Sequence, residues 1–334
     1  MHTYIIAEAG VNHNGQLGLA LKLCDAAKKA GVDCVKFQTW QTEKIVTRKV
    51  EKATYQLENI PDAEESQFDM LKKLELSYEN FRIVQDHCKK IGIDFLSTPD
   101  EEYSLAFLMN ELNLPLIKIG SGEVTNIPYL RQIASYGKPI ILSTGMATLA
   151  QVAIAYDTLL IAGAPSVALL HCTTNYPCPK NEVNLRAMQT MKESFKCQVG
   201  YSDHTMGTEI PIAAVVMGAE IIEKHFTLDR NMEGPDHKAS LEPQELQYMV
   251  DCIRNIEVAL GDGIKRPNPS EVEISKVVLK SIVAKVPVKK GDVLTANNIT
   301  IKRAGRGIPA AHWDMVVGTK ALHDFDIDDP IKID

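Results

Sequence analysis

The sequence lacks several features that would assign a protein to a class at once. Lys and Arg total 36 against 43 Asp and Glu, so the net charge of −7 provides no basic excess for binding duplex nucleic acid. No run of about 18 apolar residues predicts a membrane span, and no basic segment with an apolar core predicts a signal peptide. The chain is 45% hydrophobic and 24% charged, which excludes a mainly disordered protein. We expect neither a nucleic-acid nor a membrane partner.

Cysteines are few and scattered. The seven include no CxxC pair, so the spacing predicts neither a zinc finger nor a disulfide framework. Reduced thiols of this kind are typical of a cytoplasmic protein. A GxGxxG motif is also missing after the first predicted strand, which weakens a dinucleotide-binding interpretation.

One pattern recurs along the chain: an amphipathic run, a Gly, and a short apolar run that ends in polar residues. The Gly is typical of a helix C-cap and the apolar run of a buried parallel strand. Eight such strands over about 260 residues predict a (β/α)8 TIM barrel, with a doubly wound open sheet as the alternative. The runs include YIIAE, VKFQT, FLSTP, IKIGSGE, IILSTG, VALLHCTT, CQVGYS and EIIEKHF.

The remaining segments predict two domains of unequal size. We assign 1–262 to the barrel, 263–279 to a linker because the Gly- and Pro-rich stretch GDGIKRPNPSE (261–271) leads into it, and 280–334 to a small β-rich domain. A domain of that size has a marginal core of its own and is expected to pack against another surface. The long connection 40–78 between the second and third strands predicts a lid or substrate wall with some helix.

Polar side chains cluster where the predicted strands end, which is where barrel enzymes keep their active sites. Alternation along a strand places Lys36 and Lys118 inside the barrel. Two interior lysines are costly unless anions pair with them. We therefore predict a site for a phosphate or carboxylate, with neutral donors from Ser121, Ser143 and Ser202.

Two histidines end consecutive strands. His204 and His225 are predicted to converge, either as ligands of Mn²⁺, Zn²⁺ or a similar divalent ion or as structural histidines. Asp236, in a Gly-Pro loop, either binds a polyol or stabilises a turn. Glu223 is expected to be a buried partner of a lysine, with no further role.

A series of motifs extends these observations over nearly the whole chain. They are IAEAGVNHNG, VKFQT, FLSTP, IKIGSGE, STGMA, HCTTNYPCP, GYSDHT, IEKHFTLDR and GPDHKASLEP, followed by the tail KKGDVLTANNITIKRAGRGIP. In this order they resemble the sialic acid synthases, the family of N-acetylneuraminate and N,N′-diacetyllegionaminate synthases. The tail resembles the antifreeze-like (SAF) domain that ends these enzymes.

The resemblance implies a transferase. Phosphoenolpyruvate would condense with an N-acylated mannosamine-type sugar to give a nine-carbon nonulosonic, sialic-acid-like acid and phosphate. The resemblance also implies a divalent metal, usually Mn²⁺, with Mg²⁺ or Co²⁺ as alternatives. Its ligands would be His204 and His225.

Roles for individual residues follow from the same resemblance. Glu8 would be a catalytic carboxylate, and Arg303 would reach the partner's site across a domain-swapped homodimer. The chain reads KRAGRGI where many members read KRPGNGI, so Arg306 is the alternative to Arg303, as Asn175 is to Thr174. The residues implied for phosphoenolpyruvate are Lys36, Thr98, Lys118, Ser121, Ser143, Thr174 and Ser202, and those for the sugar are Gln38, Tyr176 and Asp236.

Some alternatives stay open at this stage. The sugar is either N-acetylmannosamine or 2,4-diacetamido-2,4,6-trideoxymannose, and ALGDGIKRPNPSE and GPDHKASLEP are slightly closer to the legionaminate type. The competing enzyme class is a TIM-barrel pyruvate aldolase with a Schiff base on Lys36 or Lys118. A carbohydrate- or ice-binding module would explain the tail, but not the interior lysines or the paired histidines.

Overall fold

The computed structural model describes residues 2–48, 50 and 65–332. The chain divides into two compact units, Met1–Gly261 and Asp262–Asp334. In the described part of the chain, no helix combines the length and apolarity needed to cross a bilayer.

The first unit is built on eight parallel strands. Their order is β3-β2-β1-β8-β7-β6-β5-β4, so the first strand pairs with both the second and the last. This arrangement confirms the TIM barrel and excludes the open doubly wound sheet. The strands are β1 Tyr4–Gly10, β2 Cys34–Thr39, β3 Asp94–Pro99, β4 Ile117–Ile119, β5 Ile140–Ser143, β6 Val167–His171, β7 Val199–Asp203 and β8 Ile221–His225.

Helices follow the strands and cover the outside of the barrel. Two of them end as the sequence predicts, since Gly31 and Gly92 adopt left-handed φ angles of 80° and 72° at the C-caps. The helices are α1 Leu17–Ala30, α2 Thr42–Ile45, α3 Gln67–Leu74, α4 Tyr78–Ile91, α5 Glu102–Ala106, α6 Ile127–Ala134, α7 Leu149–Ile161, α8 Arg186–Phe195, α9 Glu209–Val216 and α10 Pro243–Ala259.

The barrel interior is apolar at one end and polar at the other. Ile6, Cys34 and Leu96 belong to a buried cluster inside the barrel, near the start of their strands. Because side chains two apart share a face, each is followed on the same side by a polar residue, namely Glu8, Lys36 and Thr98. The same step occurs from Leu116 to Lys118, from Ile141 to Ser143 and from Ile221 to Glu223. The change in polarity places the chemistry at the carboxyl end.

In the described part of the connection between β2 and β3, two short helices, α2 and α3, precede α4. Trp40, Met70 and Leu74 form a small buried cluster there together with Val11. Residues 49 and 51–64 of the segment predicted as a lid lie outside the described residues, so the lid remains a prediction.

The second unit has its own small core. A two-stranded antiparallel sheet joins β9 Lys280–Ala284 to β10 Ile299–Arg303, and a short helix, α12, spans Trp313–Val316. The segment predicted as a linker contains a ten-residue helix, α11 Pro269–Val278, which Asn268 begins with a capping box. The core side chains are Ile282, Ala284, Val288, Leu294, Ile299, Val316, Ala321, Phe325 and Ile331.

Candidate active site

A cavity of about 180 Å³ opens at the carboxyl end of the barrel strands. Twelve of the fourteen residues predicted for the site line it: Glu8, Lys36, Gln38, Thr98, Lys118, Ser121, Ser143, Thr174, Tyr176, Ser202, His204 and His225. The remaining two are Asp236, which lies just outside this lining, and Arg303, which belongs to the second unit.

Two lysines and two glutamates form a buried ionic cluster in this cavity. Nζ of Lys36 lies 2.5 Å from Oε2 of Glu8 and 3.7 Å from Oε2 of Glu223. Nζ of Lys118 lies 3.2 Å from Oε1 of Glu223. All four side chains are at most 5% exposed. The prediction that Glu223 is a buried lysine partner is therefore confirmed, and Glu223 in fact pairs with both lysines.

Burial and pairing act differently on each member of the cluster. Burial raises the pKa of Glu8, although Lys36 opposes the shift. Burial would lower the pKa of Lys36, but Glu223 and Glu8 outweigh it and raise the pKa. Burial lowers the pKa of Lys118. For Glu223, burial is outweighed by Lys118 and Lys36, which hold its pKa at about 2. Lys36 and Glu223 are consequently charged at neutral pH.

Hydroxyl groups complete the polar lining. Lys36 donates to Oγ1 of Thr98 at 3.0 Å, and Lys118 donates to Oγ of Ser143 at 2.8 Å. The backbone N–H of Gly145 donates to Oγ of Ser121 at 2.9 Å. These lysines and hydroxyls together give the cavity several converging donors for an anion.

Thr174 and Asn175, the two alternatives in the loop after β6, occupy different environments. Thr174 lines the cavity, and its Oγ1 is buried with no hydrogen-bond partner in the described part of the chain. Asn175 is exposed. A buried hydroxyl without a partner is a place where a ligand oxygen would be stabilised. The structure thus favours Thr174.

The two histidines converge as predicted. The ring centroids of His204 and His225 are 5.4 Å apart, and the ring of Tyr176 lies 4.1 Å from that of His204. Nδ1 of His204 is 2.7 Å from the carbonyl of Thr173. Because a carbonyl can only accept, Nδ1 carries the proton, and Nε2, which lies 3.5 Å from Oγ of Ser202, carries the lone pair.

These imidazoles have the properties of metal ligands. Burial lowers the pKa of both histidines, and His204 adds to the shift of His225. Both are therefore neutral near pH 7. Nδ1 of His225 is buried without a hydrogen bond from any described residue, and it lies 3.7 Å from Asp236. No group of three or more His, Cys, Asp or Glu side chains suited to a metal occurs in the ranges described above. The donor set fits a divalent ion that completes its coordination with substrate or water.

Two further predicted residues lie beside this centre. Nε2 of Gln38 donates to Oε1 of Glu8 at 3.1 Å. Asp236 is buried, and burial together with Glu8 raises its pKa to about 7. Oδ2 of Asp236 lies 3.7 Å from Nδ1 of His225, within reach of a ligand bound at the two histidines.

The arginines predicted for a partner's site lie in the second unit. Arg303 is the last residue of β10, and Arg306 follows in a turn that contains Gly305 and Gly307, both with positive φ. Both arginines are exposed. Their role across a dimer remains a prediction.

Apart from Gly120 and Gly122, three lining residues were missed by the sequence analysis: Asp100, Met146 and Cys172. Burial and Glu123 raise the pKa of Asp100 to about 7. Met146 has a φ of 62° and is 71% exposed. Each follows a strand end directly or closely, and that position in the chain was the available signal.

A larger cavity, of about 1260 Å³, opens at the other end of the strands. It is lined by the apolar side chains of Leu96, Ile141 and Ala168, among others, and by charged groups on its rim. The lysine–glutamate cluster and the paired histidines lie in the smaller cavity, so the chemistry belongs there despite the difference in volume.

Comparison with known proteins agrees with this geometry. The chain matches the NeuB family over residues 23–265 and the SAF domain over residues 280–334. It is 50% identical to the N,N′-diacetyllegionaminic acid synthase of Campylobacter jejuni, over 99% of each chain. It is 36% identical to the N-acetylneuraminate-9-phosphate synthase of Homo sapiens, over 98% of this chain and 91% of the human one.

A solved structure supports the same assignment. The N-acetylneuraminic acid synthetase of Leptospira borgpetersenii, in complex with citrate, superposes with a TM-score of 0.71 at 34% identity. The match covers 83% of this chain and 93% of the Leptospira chain. With the fold, the site and these relatives in agreement, the chain belongs to the NeuB family of sialic acid synthases.

Proposed function

We propose that the protein condenses phosphoenolpyruvate with 2,4-diacetamido-2,4,6-trideoxymannose to give N,N′-diacetyllegionaminate and phosphate. The observation that carries the reaction is the single cavity in which two interior lysines face two neutral histidines. The choice of sugar is supported by the 50% identity to the Campylobacter legionaminic acid synthase, against 36% to the human N-acetylneuraminate-9-phosphate synthase. N-Acetylmannosamine is the alternative acceptor.

The cavity residues divide the chemistry between them. Lys36 and Lys118, with the hydroxyls of Thr98 and Ser143, hold the phosphate and carboxylate of phosphoenolpyruvate through charge-assisted hydrogen bonds. Ser121, Thr174 and Ser202 provide further donors at the same cavity. In the free protein, Glu8 and Glu223 offset the lysine charges, so no buried cation is left unpaired.

The reaction joins carbon 3 of phosphoenolpyruvate to the aldehyde carbon of the open-chain sugar. Water adds to carbon 2, and the resulting hemiketal phosphate loses inorganic phosphate to leave the 2-keto acid. Glu8, whose pKa is raised by burial, is the general base for the water or the acid for the aldehyde oxygen. Gln38, Tyr176 and Asp236 would contact the sugar.

The metal is part of the proposal. His204 and His225 would hold Mn²⁺, with Mg²⁺ or Co²⁺ as alternatives, and the bound ion would supply Lewis-acid polarisation of the aldehyde. The support is the convergence of two neutral imidazoles. In His204, the hydrogen bond from Nδ1 to the Thr173 carbonyl fixes the tautomer that leaves Nε2 unprotonated.

The assembly and the location are also proposals. A domain-swapped homodimer would bring Arg303 to the partner's cavity, where its guanidinium fork suits an N-acyl carbonyl. Phosphoenolpyruvate is a cytoplasmic metabolite, which supports a cytoplasmic reaction.

The test is phosphate release from phosphoenolpyruvate with each sugar in turn. We expect a higher kcat/KM with the diacetamido sugar than with N-acetylmannosamine. Equal or reversed preference would refute the choice of sugar, and no release with either would refute the condensation.

The aldolase alternative needs its own control, because a lowered pKa of the kind Lys118 shows suits a Schiff-base lysine. Borohydride with pyruvate should leave the wild-type protein unmodified. Covalent capture on Lys118 or Lys36, detected by mass spectrometry, would refute the synthase mechanism.

A further inference from the structure

A fully buried ion pair lies directly behind the two histidines. Asp203 of β7 and Lys224 of β8 are register partners on neighbouring strands, and both side chains are 0% exposed. Nζ of Lys224 is 2.5 Å from Oδ2 of Asp203. Each precedes a histidine, His204 or His225. Since alternate side chains point to opposite faces, the pair lies on the outer face of the barrel while both imidazoles lie inside.

The pair is also tied to the backbone after β7. Lys224 donates to the carbonyl of Thr205. Asp203 accepts from the backbone N–H and the hydroxyl of Thr205, each at 3.1 Å. The contacts therefore bracket His204 on both sides and connect it to the residue before His225. Thr205 is itself 0% exposed, so the whole network is shielded from bulk solvent.

A gain in folding stability does not by itself explain why a buried ion pair occurs at this position. Removing two charges from water costs about as much as their attraction returns, so apolar residues of similar size often serve as well. What a paired and fully hydrogen-bonded charge does provide is a fixed geometry for the strands that hold it.

We infer that Asp203 and Lys224 are positioning residues that set the relative placement of His204 and His225, and so the affinity of the histidine pair for a divalent ion. The inference rests on the metal centre proposed above. The carbonyl of Thr173 orients the ring of His204, whereas the ion pair fixes the two backbone segments from which the rings extend. Residues behind metal ligands typically change affinity 10- to 100-fold when altered.

The experiment measures Mn²⁺ binding to metal-free protein without substrates, by the electron paramagnetic resonance signal of free Mn²⁺. The variants are Lys224→Met, Lys224→Arg and the double variant Asp203→Asn with Lys224→Met. The double variant leaves no buried charge, so it keeps the test valid if Lys224→Met fails to fold. Chemical unfolding reports stability in parallel.

The matched control is Arg254→Met. Arg254 pairs with Asp33 at 2.7 Å and donates to the carbonyl of Thr3, next to the strand starts at the opposite end of the barrel. We expect this variant to lose stability while it binds Mn²⁺ like the wild type.

For Lys224→Met and the double variant we expect Mn²⁺ affinity to fall by about 10- to 100-fold, with partial recovery in Lys224→Arg. A folded double variant with wild-type affinity would overturn the positioning role alone. A wild-type protein that binds no Mn²⁺, Mg²⁺ or Co²⁺ would overturn the metal centre, and this role with it.

Discussion

Nζ of Lys118 lies 3.2 Å from a carboxylate oxygen of Glu223, and both side chains are buried inside the barrel. Loss of Lys118 leaves the buried charge of Glu223 with only the more distant Lys36, at 3.7 Å, whereas loss of both Lys118 and Glu223 leaves the Lys36–Glu8 pair. This pair therefore allows the contribution of a lysine to folding to be separated from its contribution to substrate binding.

We predict that Lys118→Met lowers the free energy of unfolding by about 3 kcal/mol. The double variant Lys118→Met with Glu223→Gln should recover most of that loss and still bind phosphoenolpyruvate weakly, because a cation of the anion site is missing. Urea unfolding and calorimetric titration measure the two effects. Lys192→Met, which removes an exposed pair with Glu220, is the control. Wild-type binding by the double variant would contradict the role of Lys118.

Removal of metal provides the second prediction. Dialysis against a chelator should stop phosphate release, and Mn²⁺ should restore it in the wild type but not in His225→Ala. The reason is that, among the described residues that line the cavity, His225 is one of two histidines. His87→Ala on α4, where His87 pairs with Asp25, is the matched histidine control. Turnover that persists in metal-free buffer would show that the histidines serve another purpose.

Gly145 carries the third prediction. A Cβ at this position would lie 2.9 Å from Oγ of Ser121, 3.1 Å from Sγ of Cys172, and against Oγ1 of Thr174. Overpacking of this kind costs about 1–3 kcal/mol. Here it would displace Ser121 and Thr174, which are predicted to bind phosphoenolpyruvate. Gly145→Ala should raise the KM for phosphoenolpyruvate about tenfold or more. Gly18→Ala, where the added carbon meets open space, should leave the KM unchanged.

The sequence was sufficient for the barrel and for most of the cavity because both depend on local alternation. Lys36, Lys118, Glu223 and His225 occupy interior positions that a period of two defines. The same rule also places Lys224 outside the barrel, but it says nothing about a partner. Asp203 is 21 residues away in sequence, and only the register of β7 against β8 brings the two together.

Residues outside regular strands were harder to predict. Met146 lies in a loop with a φ of 62°, a conformation that no period reveals. Within 263–279, the Gly- and Pro-rich start indicated a linker, yet Asn268 and Glu271 form a capping box that begins α11. The two capping residues, three positions apart, were visible in the sequence. They favour a helix more strongly than the Gly and Pro content favours a linker.

The fourth prediction concerns His13, which is buried beside the cavity loops. Its Nδ1 accepts from the backbone N–H of Gly15, and burial, with a smaller effect of His237, lowers its pKa to about 4. An unfolded histidine titrates near 6.5, so between pH 6.5 and 4 the unfolded chain binds more protons than the folded one. The stability contribution of neutral His13 is complete above pH 6.5 and is lost as the pH falls toward 4.

A shift of this size corresponds to about 3 kcal/mol across that range. In His13→Asn, the slope of unfolding free energy against pH should fall by up to about 1.4 kcal/mol per pH unit. Denaturant unfolding at several pH values measures the slope. His312→Asn, exposed in the second unit, is the control. An unchanged slope in His13→Asn would show that His13 is not the titrating group.

The last prediction tests whether Arg303 acts on the partner's cavity. Glu8→Gln should bind phosphoenolpyruvate but not turn over, and Arg303→Ala should lose most activity, more than Arg306→Ala. In a domain-swapped homodimer, each cavity would combine Glu8 of one chain with Arg303 of the other.

A mixed dimer of the two inactive variants then contains one cavity with both defects and one with neither. The mixed dimer can be purified after co-expression with different affinity tags. Because one of its two cavities is intact, it should have up to about half of wild-type activity per dimer. If Arg303 instead acts within its own chain, each cavity of the mixed dimer carries one defect and the mixture stays inactive.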